Sequence, residues 1–305
     1  MIGAPQARST HPPLGRALRF SFSGSTLREI ETALYPLWVG FGRMSTVMGQ
    51  VAAEFPLSLY SPQVSDAITR RFYAREPRYR DLERWRRVLF PFEMRMLERF
   101  FPAPPARILL HGAGSGRELT GLRALGYKVT AFEPVRALVD AANRSLDPRD
   151  SPIRCAALQD WDRWKAGPYG AVFTGWGVWT HLILEQDRLQ VLKNFREVCP
   201  IGPVLLSFFN GHKFFDEHER GDTLPPIHQP PQGTLQKMTR YWLRQRILRM
   251  PPLERGTGWN GRFYYHGVHR SELKEEAKKT GWRVAYFEGN ALRFPHAVLV
   301  PEPSL

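Results

Sequence analysis

The chain has 305 residues, 43% of them hydrophobic, which is enough for a large buried core and points to a globular protein. Its net charge is +14 and its sequence pI about 10.2, a balance that attracts anions; RNA, anionic headgroups and anionic small substrates all fit it, as does a solvated arginine-rich surface. Only two cysteines occur, Cys155 and Cys199, without CxxC or Cys/His spacing, so neither a disulfide framework nor structural zinc is expected and a reducing compartment fits. No stretch approaches the roughly 18 apolar residues that a spanning helix needs.

Residues 1–24 read as a disordered tail, with Pro12 and Pro13 side by side. Arg8, Arg16, Arg19 and Arg28 precede the first acid, Glu29, so an organellar transit segment is the alternative to a cytoplasmic protein. From 25 to 103 apolar residues recur at helical spacing, broken at Pro36, Pro56, Pro62 and Pro77, which predicts a cap of several helices. The last of them, "DLERWRRVLFPFEMRMLERFF", puts Leu82, Trp85, Leu89, Phe92, Met96 and Phe100 near one face, with Pro91 expected as a kink. The prolines of "PAPPA" then mark a boundary.

Beyond residue 104 short apolar runs alternate with helical stretches, the pattern of a parallel sheet with crossover helices. Strands are predicted at 107–111, 128–132, 153–157, 170–174 and 203–209, and helices at 115–125, 135–145 and 183–198. An insertion at 210–261, rich in Pro, Gly, His and Arg, is long enough to be functional; "TLQKMTRYWLRQRIL" within it reads as a helix. A helix at 270–280 and the strands "WRVAYFE" and "HAVLVP" close a doubly wound α/β core over 104–305.

Gly112, Gly114 and Gly116 follow the strand "ILL" and open a helix. Glycines there let backbone approach a ligand, and the N–H groups of the helix's first turn offer an anion site. A dinucleotide loop would want a small residue at 117, and Arg117 stands there.

The G-x-G-x-G spacing, with Glu133 closing the next strand in "FEP", resembles the first motif of class I S-adenosylmethionine-dependent methyltransferases. The resemblance implies a Rossmann-like sheet whose last strand is antiparallel, and S-adenosylmethionine as cofactor. It places Gly112, Ala113, Gly114, Gly116 and Arg117 at the methionine part, and Glu133, followed by Pro134, at the ribose hydroxyls. A carboxylate suits that role, because it only accepts hydrogen bonds and can take both O–H groups. By the same resemblance Asp160, with Asp162 as alternative, meets the adenine amino group and Trp161 packs on the ring; Asp160 as a helix cap is the other reading. In "AVFTGWGVWTHL", Thr174, Gly175 and Trp176 fall in the loop that lies against the ligand. The segment "YYHGVHRSELKEEAKKTGWRVAYFE" resembles the family's closing helix and "GW" turn. One position departs from the pattern: where many members carry an acid two residues before the first glycine, this chain has Leu110, followed by His111. The methionine ammonium is then expected at backbone carbonyls, at Gly175 or its neighbours, or at water.

The implied activity is methyl transfer to an oxygen or nitrogen of a small acceptor, in which the protein positions the acceptor and removes a proton. His181 and His266, with Tyr265 as companion, are the candidate bases, and His212 is a weaker one; capping or backbone hydrogen bonding is the ordinary alternative for each. Tyr35, Trp38, Phe41, Phe72, Tyr73 and Trp242 are candidates for the acceptor pocket, or for packing the cap onto the core. His212, Asp216, Glu217 and His218 alternate with exposed-loop charges, so no metal site is expected. An RNA or protein methyltransferase, and an inactive cofactor- or partner-binding protein, are the alternatives.

Overall fold

The computed structural model describes residues 59–79, 89–147, 151–210, 242–250, 262–289 and 295–303, with isolated positions at 37–48 and 253–259. The expected tail, Tyr35, Trp38, Phe41, about half of the expected cap and the histidines and acids of 212–218 lie outside the described residues. The chain divides into two compact units, Met1–Gly49 and Gln50–Leu305. In the first, the described positions Leu37, Met44, Ser45 and Met48 are helical.

The second unit is built on a seven-stranded sheet. Its strands are β1 (Arg107–His111), β2 (Lys128–Glu133), β3 (Arg154–Cys155), β4 (Ala171–Thr174), β5 (Val204–Ser207), β9 (Trp282–Glu288) and β10 (His296–Pro301), in the spatial order β3-β2-β1-β4-β5-β10-β9. β10 runs antiparallel to both of its neighbours, while β1 to β5 pair in parallel. The expected Rossmann-like sheet with an antiparallel last strand is therefore the observed one.

Alternation along the strands builds a core on each face of the sheet. Ile108 and Leu110 face one way, joining Leu119 and Leu122 of α3 (Arg117–Ala124), Val139 of α4 (Arg136–Ser145) and Met96 and Leu97 of α2 (Pro91–Phe100). Leu109 faces the other way, with Phe195 of α6 (Glu185–Val198), Leu273 of α7 (Arg270–Lys279) and Trp164 of the short helix α5 (Trp161–Trp164). Trp282, just after Gly281 at φ 77°, is fully buried and donates its indole N–H to the Leu192 carbonyl at 2.9 Å, so the "GW" turn anchors the edge strand β9 to α6.

Three expectations change. Pro91 opens α2 rather than kinking a longer helix; its locked φ and missing N–H suit the first helical position, and Leu89 and Phe90 before it are not helical. The strand expected over 203–209 stops at Ser207. Phe208 donates its N–H to the Pro295 carbonyl and Phe209 to Thr180 Oγ1, which turns the chain into a second sheet, β6-β8-β7 (β6 Phe209–Asn210, β7 Thr257–Trp259, β8 Tyr264–Val268). The insertion helix is described only at Trp242–Ile247, where it has π geometry and Trp242 is 59% exposed rather than turned into a pocket.

The helix α1 (Pro62–Arg75) starts at Ser61, whose side chain accepts from the Val64 N–H, with Pro62 in the first turn. It crosses the carboxyl ends of the parallel strands, where Arg70 reaches the Pro134 carbonyl at 3.1 Å.

Gly121 of α3 lies under Leu89, and a Cβ there would sit 2.7 Å from Leu89 Cγ. Alanine in a helix interior gains about 1 kcal/mol over glycine, while forcing a methyl into packed core costs about 1–3 kcal/mol. Gly121→Ala should therefore lower stability in chemical denaturation, and raise it when Leu89→Ala opens the space.

Candidate active site

The loop after β1 takes three left-handed turns, with φ of 72° at Gly112, 52° at Gly114 and 101° at Gly116, the last serving as the N-cap of α3. Side chains are strained there, which is why this loop is glycine-rich. Gly112 also needs its bare Cα because a Cβ would run into Val178, whereas a Cβ at Gly114 would meet nothing within 4 Å. The middle of the loop thus borders open space, and the first-turn N–H groups of α3 have no carbonyl four residues back to bond.

Glu133 ends β2 beside this loop, 5% exposed. One carboxylate oxygen accepts the Gly114 N–H at 3.0 Å and the other the Val135 N–H at 2.9 Å. Burial lifts its carboxyl to about 7, against the pull of those two bonds. The Gly112 and Ala113 N–H groups are held by the Phe132 carbonyl at 2.9 and 3.0 Å, so the end of β2 carries the whole first half of the loop.

Arg117 does not turn toward the loop's open side. Its guanidinium is buried, bonded to both oxygens of Glu93 on α2 at 2.7 Å each and to Glu118 at 2.6 Å, and lies 3.8 Å over the Phe90 ring. Burial raises the Glu93 carboxyl, and Arg117 opposes that rise. Pro134 contributes its carbonyl to Arg70, as above.

Asp160 precedes α5, but its carboxylate accepts the Ala157 N–H at 2.9 Å and does not cap that helix. Trp161 is half-buried, set edge-on to Trp164 at 4.7 Å. Asp162 is exposed and pairs with Lys165 at 2.7 Å. After β4, Thr174 is fully buried and bridges to β5, donating to the Leu205 carbonyl and accepting from the Ser207 N–H, both at 3.1 Å. Gly175 donates to the His111 carbonyl at 2.7 Å and packs so tightly on the Gly112 carbonyl that a Cβ would collide with it. The Trp176 N–H reaches Glu118 at 3.3 Å. Leu110 and His111 are both buried in the sheet, and burial lowers the His111 imidazole to about 3.

His181, at the end of the 3-10 turn Val178–His181, meets Tyr73 of α1, with Nε2 3.1 Å from the phenol oxygen. Phe263 at 5.2 Å and Phe209 at 6.5 Å complete the ring of aromatics, and Phe72 packs on Tyr73 at 5.1 Å. Burial lowers the imidazole to about 4, and Nδ1 is buried with no hydrogen-bond partner among the described residues. Tyr265 joins this group through Phe209. His266, its neighbour on β8, points to the other side of the strand, fully buried, with Nε2 3.1 Å from Glu272 of α7. The structure therefore brings together the glycine loop, Glu133, the loop at 174–176 and the His181–Tyr73 pair, and leaves His266 apart.

Two residues at this edge escaped the sequence reading. Arg70 has no local signal, because only the fold brings α1 across this edge; Glu118, two residues beyond Gly116 in "GSGRE", has one in its acid beside the glycines. Among the described residues no group of three His, Cys, Asp or Glu could hold a metal ion, and no helix is long and apolar enough to cross a membrane.

No protein-family model and no curated protein matches the chain. Solved structures that are similar include an S-adenosylmethionine-dependent methyltransferase from Methanosarcina mazei, 15% identical over 71% of this chain and 100% of that one, with a TM-score of 0.47. Another, from Bacteroides fragilis, is in complex with S-adenosyl-L-homocysteine; it is 14% identical over 73% of this chain and 82% of that one, with a TM-score of 0.48. An amino pentose methyltransferase from Micromonospora echinaspora, involved in calicheamicin biosynthesis, is 16% identical over 69% and 88%, with a TM-score of 0.47.

Because Glu133 holds its proton to about 7 in the folded chain against an ordinary 4.5, the folded state binds more protons than the unfolded one between those values. Its contribution to stability is full below 4.5 and is lost as pH rises to about 7. Chemical denaturation of the ligand-free protein across pH 4.5–7.5 should show that decline lessened in Glu133→Gln; equal slopes for the two proteins would refute the assignment.

Proposed function

We propose that the chain is an S-adenosylmethionine-dependent methyltransferase acting on an oxygen or nitrogen of a small molecule. The observation that carries this reading is the Gly112–Gly116 loop bordering open space at Gly114 while Glu133, at the adjacent strand end, grips the same residue. The loop would take the methionine part, Glu133 the ribose hydroxyls, Asp160 the adenine amino group and Trp161 the ring face. When bound, the cofactor supplies a methyl group already activated on a sulfonium sulfur. The protein's share is then to orient the acceptor, exclude water and take its proton.

His181 is the proposed base. Its lowered pKa keeps the imidazole neutral at pH 7; in the tautomer whose Nε2 donates to Tyr73, the Nδ1 lone pair would receive the proton. Phe72, Phe209 and Phe263 around it offer an apolar, water-excluding wall. That surrounding suits a small molecule better than a polynucleotide. Of the proposed substrate cap, residues 25–103, the helix α1 contributes Arg70 and Tyr73 to this edge.

Calorimetric titration with S-adenosylhomocysteine tests the cofactor. Wild type should bind more tightly as pH rises toward 7, because ribose hydroxyls need the ionised Glu133; Glu133→Ala should lose about tenfold or more. Unaltered binding in that variant would remove Glu133 from the site. With an acceptor found by screening a metabolite panel, His181→Asn should lower kcat by about 10²–10⁴ while homocysteine-cofactor affinity stays within about twofold.

A further inference from the structure

Glu118 stands in the first turn of α3, two residues after Gly116, 5% exposed, with a carboxylate that does more than balance a neighbour. Its Oε1 accepts the Trp176 N–H at 3.3 Å and would lie 3.4 Å from a Cβ placed on Gly175. Gly175 in turn presses on the Gly112 carbonyl. A carboxylate and a carbonyl oxygen thus meet at the corner where the first glycine turn touches the loop after β4. Leu110 is fully buried among apolar side chains of the sheet.

The charge balance of this corner is uneven. Among the described residues, Glu93, Glu118 and Glu133 are 1%, 5% and 5% exposed; the buried guanidinium of Arg117, 7% exposed, serves Glu93 and Glu118, and the cation acting on Glu133 is the more exposed Arg70. Arg117 gives a two-pronged pair to Glu93 and only a shared Nη2 to Glu118. Glu118 also raises the Glu133 carboxyl through space, so the two carboxylates already repel across the loop. Buried carboxylates in excess of their counter-charges are costly, and a cationic ligand group entering beside them relieves that cost.

We infer that Glu118 is the anionic partner of the methionine ammonium, reaching from α3 into the place left without an acid by Leu110. The inference rests on the cofactor reading above. Its geometry distinguishes Glu118 from Glu93, which is the less exposed of the two and is bonded to Arg117 and to the Phe90 N–H on the far side of that guanidinium.

The test compares two ligands by calorimetry: S-adenosylhomocysteine, which carries the ammonium, and 5′-methylthioadenosine, which shares the nucleoside and thioether but lacks the amino acid. Glu118→Gln should weaken the first by about tenfold or more and change the second by less than about twofold. Glu93→Gln, which loosens the same Arg117, should leave the ratio of the two affinities as in wild type. Should Glu118→Gln fold poorly, Glu118→Asp keeps the charge, withdraws it, and should show the same selective loss. Equal weakening of both ligands, or of neither, overturns the role of Glu118. If wild type binds neither ligand, the cofactor reading falls and the inference with it.

Discussion

The carboxylate of Glu133 is the constraint on which the site depends. By accepting the N–H of Gly114 with one oxygen and that of Val135 with the other, it ties the turn after β1 to the turn after β2. Two neighbouring parallel strands leave their carboxyl ends pointing the same way, and a loop from each must be held open for any ligand to enter. A single buried acid holds both. Its position also explains its raised pKa, since the low-dielectric surroundings that make its hydrogen bonds strong also disfavour its charge.

Behind that loop a second polar network sets the position of α3. Arg117 joins Glu93 from α2 and Glu118 from α3, and Glu118 passes the connection on to the loop at Trp176. Buried ion networks of this kind add little net stability relative to apolar packing, but removing one member leaves an uncompensated charge. Their value here is geometric: the helix that follows the glycine loop cannot shift without breaking them. On the other side of the sheet, Arg188 does the same for α6 and α7, bonded to Glu276 at 2.8 Å and to Glu272 at 3.0 Å, and Glu272 is the acid that also holds His266. That is why His266 belongs to the scaffold's polar core.

The glycine loop could be read from the chain because its signal is local. Three glycines at alternating positions between an apolar run and a helix require positive φ values that other residues resist, and all three have them. Glu133 was legible for the same reason, as the acid closing the next apolar run. The Tyr73–His181 contact spans 108 positions and the Glu118–Trp176 contact 58, and no spacing rule connects such pairs. The small sheet β6-β8-β7 gives little local signal because its strands are two to five residues long and two of them, "TGW" and "YYHGV", carry a glycine where alternation would be sought.

What the sequence determined by itself was the alternation of strand and helix, the glycine-rich turn, the acid closing β2 and the "GW" turn opening β9, each a consequence of backbone conformation or of periodic burial within a few residues. The tertiary structure alone decided which acids and aromatics face one another. Arg117 is open to a ligand in the sequence and is bound to Glu93 in the fold; His181 and His266 are both candidate bases by sequence, and the fold sets His181 against Tyr73 of α1 and His266 against Glu272 of α7. The physical reason is that hydrogen bonds and ion pairs between side chains depend on distances of about 3 Å, set by how helices pack across a sheet and not by position along the chain.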